Sequence, residues 1–484
     1  MTDPHPPAFT GPDLCRKEAH EVVALLQRGA VSPDELIDAA LTRLEQVEGA
    51  VNAVPTLCPA RAHAQVLGTA GAEAPGWLAG LPIGIKDLTP VEGVRTTFGT
   101  RGLADFVPET SDYFVTRLES RGGIVLGKTN TPEFGAGANT FNDVFGPTFN
   151  PWDTTLNAGG SSGGAAVSLA TGSLWLSHGS DHGGSLRTPA AFNGIVGLRP
   201  SPGRVARMAE AGFIIEGAEG PMARSVRDCA LFLDAMAGAD ARDPLSYPAP
   251  ETPFETAVIE AEGKLTLAYS PDLNGFGAVD AEMADHLAGV MATLARAGHR
   301  LEETCPDLTG LEPTYHTLRG IGMATAARTR PEHITRHLKQ TIRENTARAL
   351  ALTIDDIAAA EANRGAIYRA MAGLFDSYDV FALPVVGCMP HPQSEEWVRE
   401  IGGQTLEFYM DWLRFAFLAT TAGLPAISVP VGLGPRGLPV GLQLIGPPRG
   451  EAQLLRAARI VEAELGGPLG PIDPVTRSAS APAD

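Results

Sequence analysis

The stretch Gly179-Ser180-Asp181-His182-Gly183-Gly184-Ser185-Leu186-Arg187 places a serine directly after paired glycines. Without a Cβ, glycine lets successive backbone N–H groups turn toward one point and lets a ligand approach closely. Such a nest of donors suits a developing oxyanion. A serine in a Gly-rich run is, by itself, usually a turn, so the neighbouring blocks decide. Upstream, Leu81-Pro82-Ile83-Gly84-Ile85-Lys86-Asp87 reads as an apolar strand ending in lysine. Burial disfavours the ammonium form, so a lysine there can act as a neutral base near pH 7. Taken alone, a Lys beside an Asp is ordinarily a salt bridge. Between these blocks lies Gly159-Gly160-Ser161-Ser162-Gly163-Gly164, opening a Gly/Ser/Ala-rich stretch over 157–180 without formal charge. Leu169, Leu174, Trp175 and Leu176 argue for a buried helix with tight loops there rather than a linker.

Two other patterns compete. Gly122-Gly123-Ile124-Val125-Leu126-Gly127-Lys128-Thr129 satisfies the P-loop spacing. Its variable positions, however, read as a strand, where a phosphate loop should lie between strand and helix. Lys128 is therefore read as structural. Gly159-Gly160-Ser161-Ser162-Gly163 fits a nucleophile elbow, which would make Ser161 the nucleophile of a Ser-His-Asp α/β-hydrolase. An elbow follows a strand, and Thr154-Thr155-Leu156-Asn157-Ala158 makes a poor one.

The blocks together resemble the amidase signature family of serine hydrolases. The likeness rests on Gly159 to Gly164 and on Asp181-His182-Gly183-Gly184-Ser185-Leu186-Arg187-Thr188-Pro189-Ala190-Ala191-Phe192. It continues through Gly194-Ile195-Val196-Gly197-Leu198-Arg199-Pro200, Gly220 to Arg224, Gly423 to Ala426 and Gly437 to Gly446. It covers about 15 to 465 and is weak between 250 and 400. The resemblance implies an α/β fold, an α/β/α sandwich with a large mixed, mostly parallel central sheet. It implies Ser185 as nucleophile, Ser161 as bridging serine after a cis peptide, and Lys86 as base. It places the oxyanion at backbone N–H groups of His182, Gly183, Gly184 and Ser185. Ser162, Asp181 and Arg187 would support the site, the last two as a structural ion pair. No metal or cofactor is implied. The expected activity is hydrolysis of a linear or cyclic amide C–N bond, with specificity set by segments around 140–152, 200–220, 305–345 and 385–412, whose apolar and aromatic residues suggest an aryl or secondary amide. The alternatives are one component of a glutamine amidotransferase, working only in a complex, the Ser-His-Asp hydrolase, and a binding protein with a degenerate site.

Three positions depart from the family pattern: His182 stands where small or apolar residues are common, Asn193 replaces a frequent Cys, and Ala158 a frequent Pro. Phe141 and Phe145 are the aromatic residues nearest the motif loops and are candidates for the substrate pocket. His333 and His337 have helical i, i+4 spacing but no acidic third ligand, so a solvated face is favoured over zinc.

Composition bounds the rest. The net charge is −19, from 37 basic and 56 acidic side chains, against backbone-clamping nucleic-acid binding and anionic membranes. The expected partner is a small-molecule amide, with a homodimer left open. Five scattered Cys without CxxC favour a reducing compartment, here the cytoplasm. No secretion signal is visible at the N-terminus. The uncharged run Phe415 to Pro435 has the length of a membrane span but reads as a helix followed by a buried strand. Ser32-Pro33-Asp34-Glu35 is a capping box that starts a helix, with Gly49 as its stop. Strands are expected at Leu81–Ile85, Ile124–Leu126, Ile195–Leu198, Leu265–Tyr269, Val380–Val386, Ala426–Val431 and Val440–Ile445. The expected organisation is one amidase domain over 13–475, with a catalytic core at 80–245 and a more helical substrate-side insertion at 250–410. Residues 1–12 and 476–484 are expected to be flexible ends.

Overall fold

The computed structural model describes residues 7–66, 74–208, 212–434 and 436–477. Its organising element is an eleven-stranded sheet. The strand order is Thr56–Leu57, Ile124–Thr129, Pro82–Lys86, Leu176–Asp181, Ala218–Ala223, Val196–Arg199, Ala426–Leu433, Pro439–Ile445, Val380–Pro384, Thr266–Tyr269 and Arg300–Glu303. Four neighbouring pairs are parallel and six antiparallel. The sheet is therefore mixed but not mostly parallel, which corrects the expectation. The short turn joining Ala426–Leu433 to Pro439–Ile445 permits only an antiparallel hairpin. Ala218–Ala223 also runs against both its neighbours, Leu176–Asp181 and Val196–Arg199.

Strand alternation carries side chains to both faces. His178 points to one side and packs on Phe114 of the helix Tyr113–Ser120, with ring centroids 4.4 Å apart. Gly179 opens to the other, where a Cβ would meet Leu186 Cδ2 and Ser162 Oγ at 2.7 Å each. Helices Gly163–Ala170 and Arg187–Asn193 lie on that second side. The 250–410 region adds three strands to the main sheet and carries helices Leu311–Thr329, Gln340–Leu350 and Ile354–Leu374.

Both bonds of the capping box are present: Glu35 N–H donates to Ser32 Oγ (3.2 Å) and Ser32 N–H to the Glu35 carboxylate (2.8 Å). The helix Pro33–Val51 passes through Gly49 because Val51 still belongs to its buried face; it stops at Asn52, in the left-handed region at φ 50°. The run from Phe415 holds the helix Phe417–Ala422 and the strand Ala426–Leu433. Among the described residues no helix is long and apolar enough to cross a membrane. Near the ends, Phe9 is buried and Thr10 N–H donates to the Asp473 carboxylate at 3.0 Å. Residues 1–6 and 478–484, within the ends read as flexible, lie outside the described residues.

Candidate active site

Lys86 ends the strand Pro82–Lys86 and is fully buried. It shares a face with Gly84, where a Cβ would sit 2.6 Å from Leu174 Cδ1 and 2.8 Å from Ser177 Oγ. A larger residue there would have to displace the Leu174 and Ser177 side chains packed over the strand. Lys86 Nζ donates to Ser161 Oγ (2.6 Å), Ser162 Oγ (2.9 Å) and Ser180 Oγ (3.1 Å). These partners are all neutral. Loss of water pulls the Lys86 pKa down to about 7, against the opposing pull of Glu219 and Asp181. Lys128 makes the contrast: equally buried, it donates to Asp87 Oδ1 (3.3 Å), Thr89 O and Thr96 Oγ1 (2.7 Å each). Its P-loop-like run is the strand Ile124–Thr129, preceded by a helix.

The Gly160–Ser161 peptide is cis, and Ser162 stands at the N-terminal boundary of the helix Gly163–Ala170 without a side-chain capping bond. No strand leads into Ser161, so an elbow is not formed. A Cβ on Gly135 would lie 3.2 Å from Ser161 Oγ, so that loop closes directly over the serine. Ser162 N–H donates to the Ser185 carbonyl at 3.2 Å, tying the two serine loops together. The described bonds thus join Lys86 to Ser161 and Ser162 by side chains, and join Ser185 to the group through its backbone.

Asp181 holds the turn that carries Ser185. Its carboxylate accepts from Gly184 N–H (3.1 Å), Leu186 N–H (3.0 Å), Arg187 Nε (3.0 Å) and Arg187 Nη2 (2.8 Å). Burial alone would raise its pKa; Arg187 and then Arg199 reverse that and hold it well below the usual carboxylate range. Because the Gly184 N–H is bound to Asp181, it is taken out of the set of four expected oxyanion donors. Of that expected set, the N–H groups of His182, Gly183 and Ser185 remain. At Gly183 a Cβ would lie 2.6 Å from Tyr315 Oη and 2.8 Å from Met410 Cε, so a larger residue there would have to push these two side chains aside.

Ser185, His182 and Gly183 line a cavity of about 940 Å³. Burial, and next the charge of Arg319, brings the His182 pKa down to about 3, so its ring is neutral. His182 Nδ1 and Tyr315 Oη are both buried without a hydrogen-bond partner among the described residues. Tyr315 stacks on Phe417 with centroids 3.7 Å apart. No described bond joins a histidine to Ser161 or Ser185, so a Ser-His-Asp arrangement is not assembled.

Phe141 and Phe145 do not line this cavity, which corrects their assignment to the pocket. Phe141 packs under Lys339 Nζ (4.9 Å) and Phe145 under Arg95 (4.9 Å), each a cation–π contact. The aromatic walls are Phe134, Tyr315 and Tyr409 instead. His333 and His337 do not share a helix, since Glu332–Thr335 ends between them, and His337 Nε2 accepts from Arg336 Nε at 3.1 Å. The sequence reading misses the pair beneath Lys86: the lysine's backbone N–H donates to His178 Nδ1 (3.4 Å), whose Nε2 lies 2.8 Å from Glu219 Oε2. Alternation along Leu176–Asp181 would place His178 beside Lys86, if that segment were read as a strand.

Known proteins resemble this chain along nearly its whole length. The family described as amidase matches residues 35–455. An acylamidase of Rhodococcus erythropolis is 35% identical, over 92% of this chain and 94% of its own. A glutamyl-tRNA(Gln) amidotransferase component from Moorella thermoacetica is 36% identical, over 92% and 96%. A bacterial aryl acylamidase of the amidase signature family superposes with a TM-score of 0.85 at 27% identity, covering 93% of this chain and 96% of that one. With its buried lysine, serine pair and glycine-rich turn in this setting, the chain belongs to the amidase signature family of amidohydrolases.

Proposed function

We propose that the chain is an amidase that works alone, cleaving a carboxylic amide through an acyl group carried on Ser185. The observation that carries this reading is Lys86 Nζ, 2.6 Å from Ser161 Oγ and with its pKa at about 7, beside a cavity that Ser185 lines. Neutral Lys86 accepts the Ser161 hydroxyl proton as Ser161 Oγ takes the proton of Ser185. Ser185 Oγ attacks the amide carbon, and the oxyanion sits at the N–H groups of His182, Gly183 and Ser185. Each such donor is typically worth about 3 kcal/mol. The proton returns through Ser161 to the leaving nitrogen, and the C–N bond breaks. Water then gives its proton to the same relay, attacks the ester, and releases the acid with Ser185 restored. Asp181 and Arg187 are positioning residues that hold the turn.

For the substrate we propose an aryl or secondary amide, linear or cyclic. The aromatic and aliphatic cavity walls support this, as do the acylamidase relatives. A second reading is a glutamine amidotransferase component that needs partner chains, favoured by the Moorella relative. One experiment separates them: mass-detected hydrolysis of paired primary amides and anilides by the purified chain, with Ser185→Ala as control. Turnover of anilides is expected, falling by at least about 1,000-fold in the variant. Turnover of no member by the chain alone would favour the partner-dependent reading; full activity in Ser185→Ala would overturn the nucleophile.

A further inference from the structure

We infer that the cavity binds amides bearing a carboxylate away from the scissile bond, and that Arg319 is the residue that recognises it; this rests on the amidase reading above. Arg319 projects from the helix Leu311–Thr329 into the lining that also holds Ser185 and His182. Its Nη1 donates to Asn345 Oδ1 (3.1 Å) and Met323 Sδ (3.0 Å), and its Nη2 to Tyr409 Oη. All three partners are neutral, and no described carboxylate pairs with it.

Several other buried or half-buried arginines have a carboxylate partner, although Arg95, Arg117 and Arg207 donate to backbone carbonyls instead. Arg187 pairs with Asp181 at 2.8 Å, Arg204 with Glu451 at 3.0 Å, Arg414 with Glu312 at 2.8 Å, and Arg364 with Glu216. In a chain with 56 acidic and 37 basic residues, carboxylates are not scarce. A guanidinium has five N–H donors in a fixed fork that matches a carboxylate. Three are accounted for by the bonds above, which hold the fork in place beside the cavity. The positive charge also acts on the reaction turn, since it helps keep His182 neutral. Arg336 and Arg343 add to the lining, against Glu332. Met323, Ala326, Leu338 and Leu413 supply its apolar part. The chemistry that fits is an amide with an apolar body and one anionic end.

Calorimetric binding to the Ser185→Ala chain tests this without requiring turnover. One arm uses monoanilides of linear dicarboxylic acids of increasing length, and the other N-acyl aminobenzoates. Each is matched to a compound with methyl in place of the carboxylate. In at least one arm the carboxylate member is expected to bind about tenfold or more tightly. Adding Arg319→Gln should bring the pair within about twofold, with Arg319→Lys between, since lysine keeps the charge but loses the fork. Asn345→Asp should remove the preference with Arg319 still present, by giving the guanidinium an internal carboxylate; it serves also if Arg319→Gln fails to fold. Equal, weaker or undetectable binding of the carboxylate members in both arms would overturn the inference. So would a preference that survives Asn345→Asp or Arg319→Gln. A flat result here beside anilide turnover in the panel would sink the inference and leave the amidase reading standing.

Discussion

Removing water from Lys86 favours its neutral form, while Glu219 and Asp181 favour the ammonium. A base must be unprotonated to act, so kcat/KM should rise with pH through about 7 and level off above it. Glu219 raises the Lys86 pKa, so Glu219→Gln should lower it and move the rising limb to lower pH. His178, which lies between them, is itself held below its usual value by burial, so it adds no competing charge near neutrality. An unchanged limb in Glu219→Gln, followed in pH–rate profiles with anilide substrate, would contradict this assignment of the base. At this scale the sequence is informative where residues are close along the chain. Lys86, Ser161 and Ser185 each sit in a short block whose glycines and apolar run point to their chemistry. Tyr315, Arg319 and Tyr409 give no such sign. They reach the cavity from a helix and a distant loop, and only tertiary packing brings them beside Ser185. Phe141 and Phe145 mislead for the converse reason: sequence proximity to the motif loops puts them near the site, but cations cover their rings.

Among the elements, the turn after Leu176–Asp181 carries most of the site. Asp181 accepts from the N–H groups of Gly184 and Leu186 and from Nε and Nη2 along one edge of Arg187, all away from water. Breaking a buried ion pair by removing one partner commonly costs about 3–5 kcal/mol. Asp181→Asn should therefore lose roughly 3 kcal/mol in urea unfolding and lower kcat at least about tenfold, because the turn that aims Ser185 loosens. Wild-type stability in that variant would show that the pair does not hold the turn. This strand is not legible in the sequence, since Leu-Ser-His-Gly-Ser-Asp has neither a β-branched run nor clean alternation. Ala218–Ala223, Ala-Glu-Gly-Pro-Met-Ala, is hidden by its Gly and Pro. Both are strands because neighbours on each side complete their hydrogen bonding. The apolar runs 82–85, 124–126 and 426–431 are readable because their burial on both faces demands continuous hydrophobic sequence.

Over the whole molecule, the α/β class and the length of the sheet-bearing body follow from alternating apolar runs and helical patterns. Strand direction does not. The switch from parallel to antiparallel pairing at Ala218–Ala223 depends on where the chain re-enters the sheet, and local sequence carries no record of that. The consequence is functional: strands far apart in sequence bring Lys86, the paired serines and the turn that carries Ser185 to one place, with the 311–350 helices roofing the cavity. The reaction as derived uses only this chain and water. Its most direct test is intact-mass spectrometry of the purified chain, mixed rapidly with an anilide and quenched, in buffer containing EDTA, followed by peptide mapping. The account expects a transient mass increase equal to the acyl group, located on Ser185 and absent from Ser185→Ala. Hydrolysis that proceeds with no acyl group on Ser185, or with the group on Ser161, would contradict it.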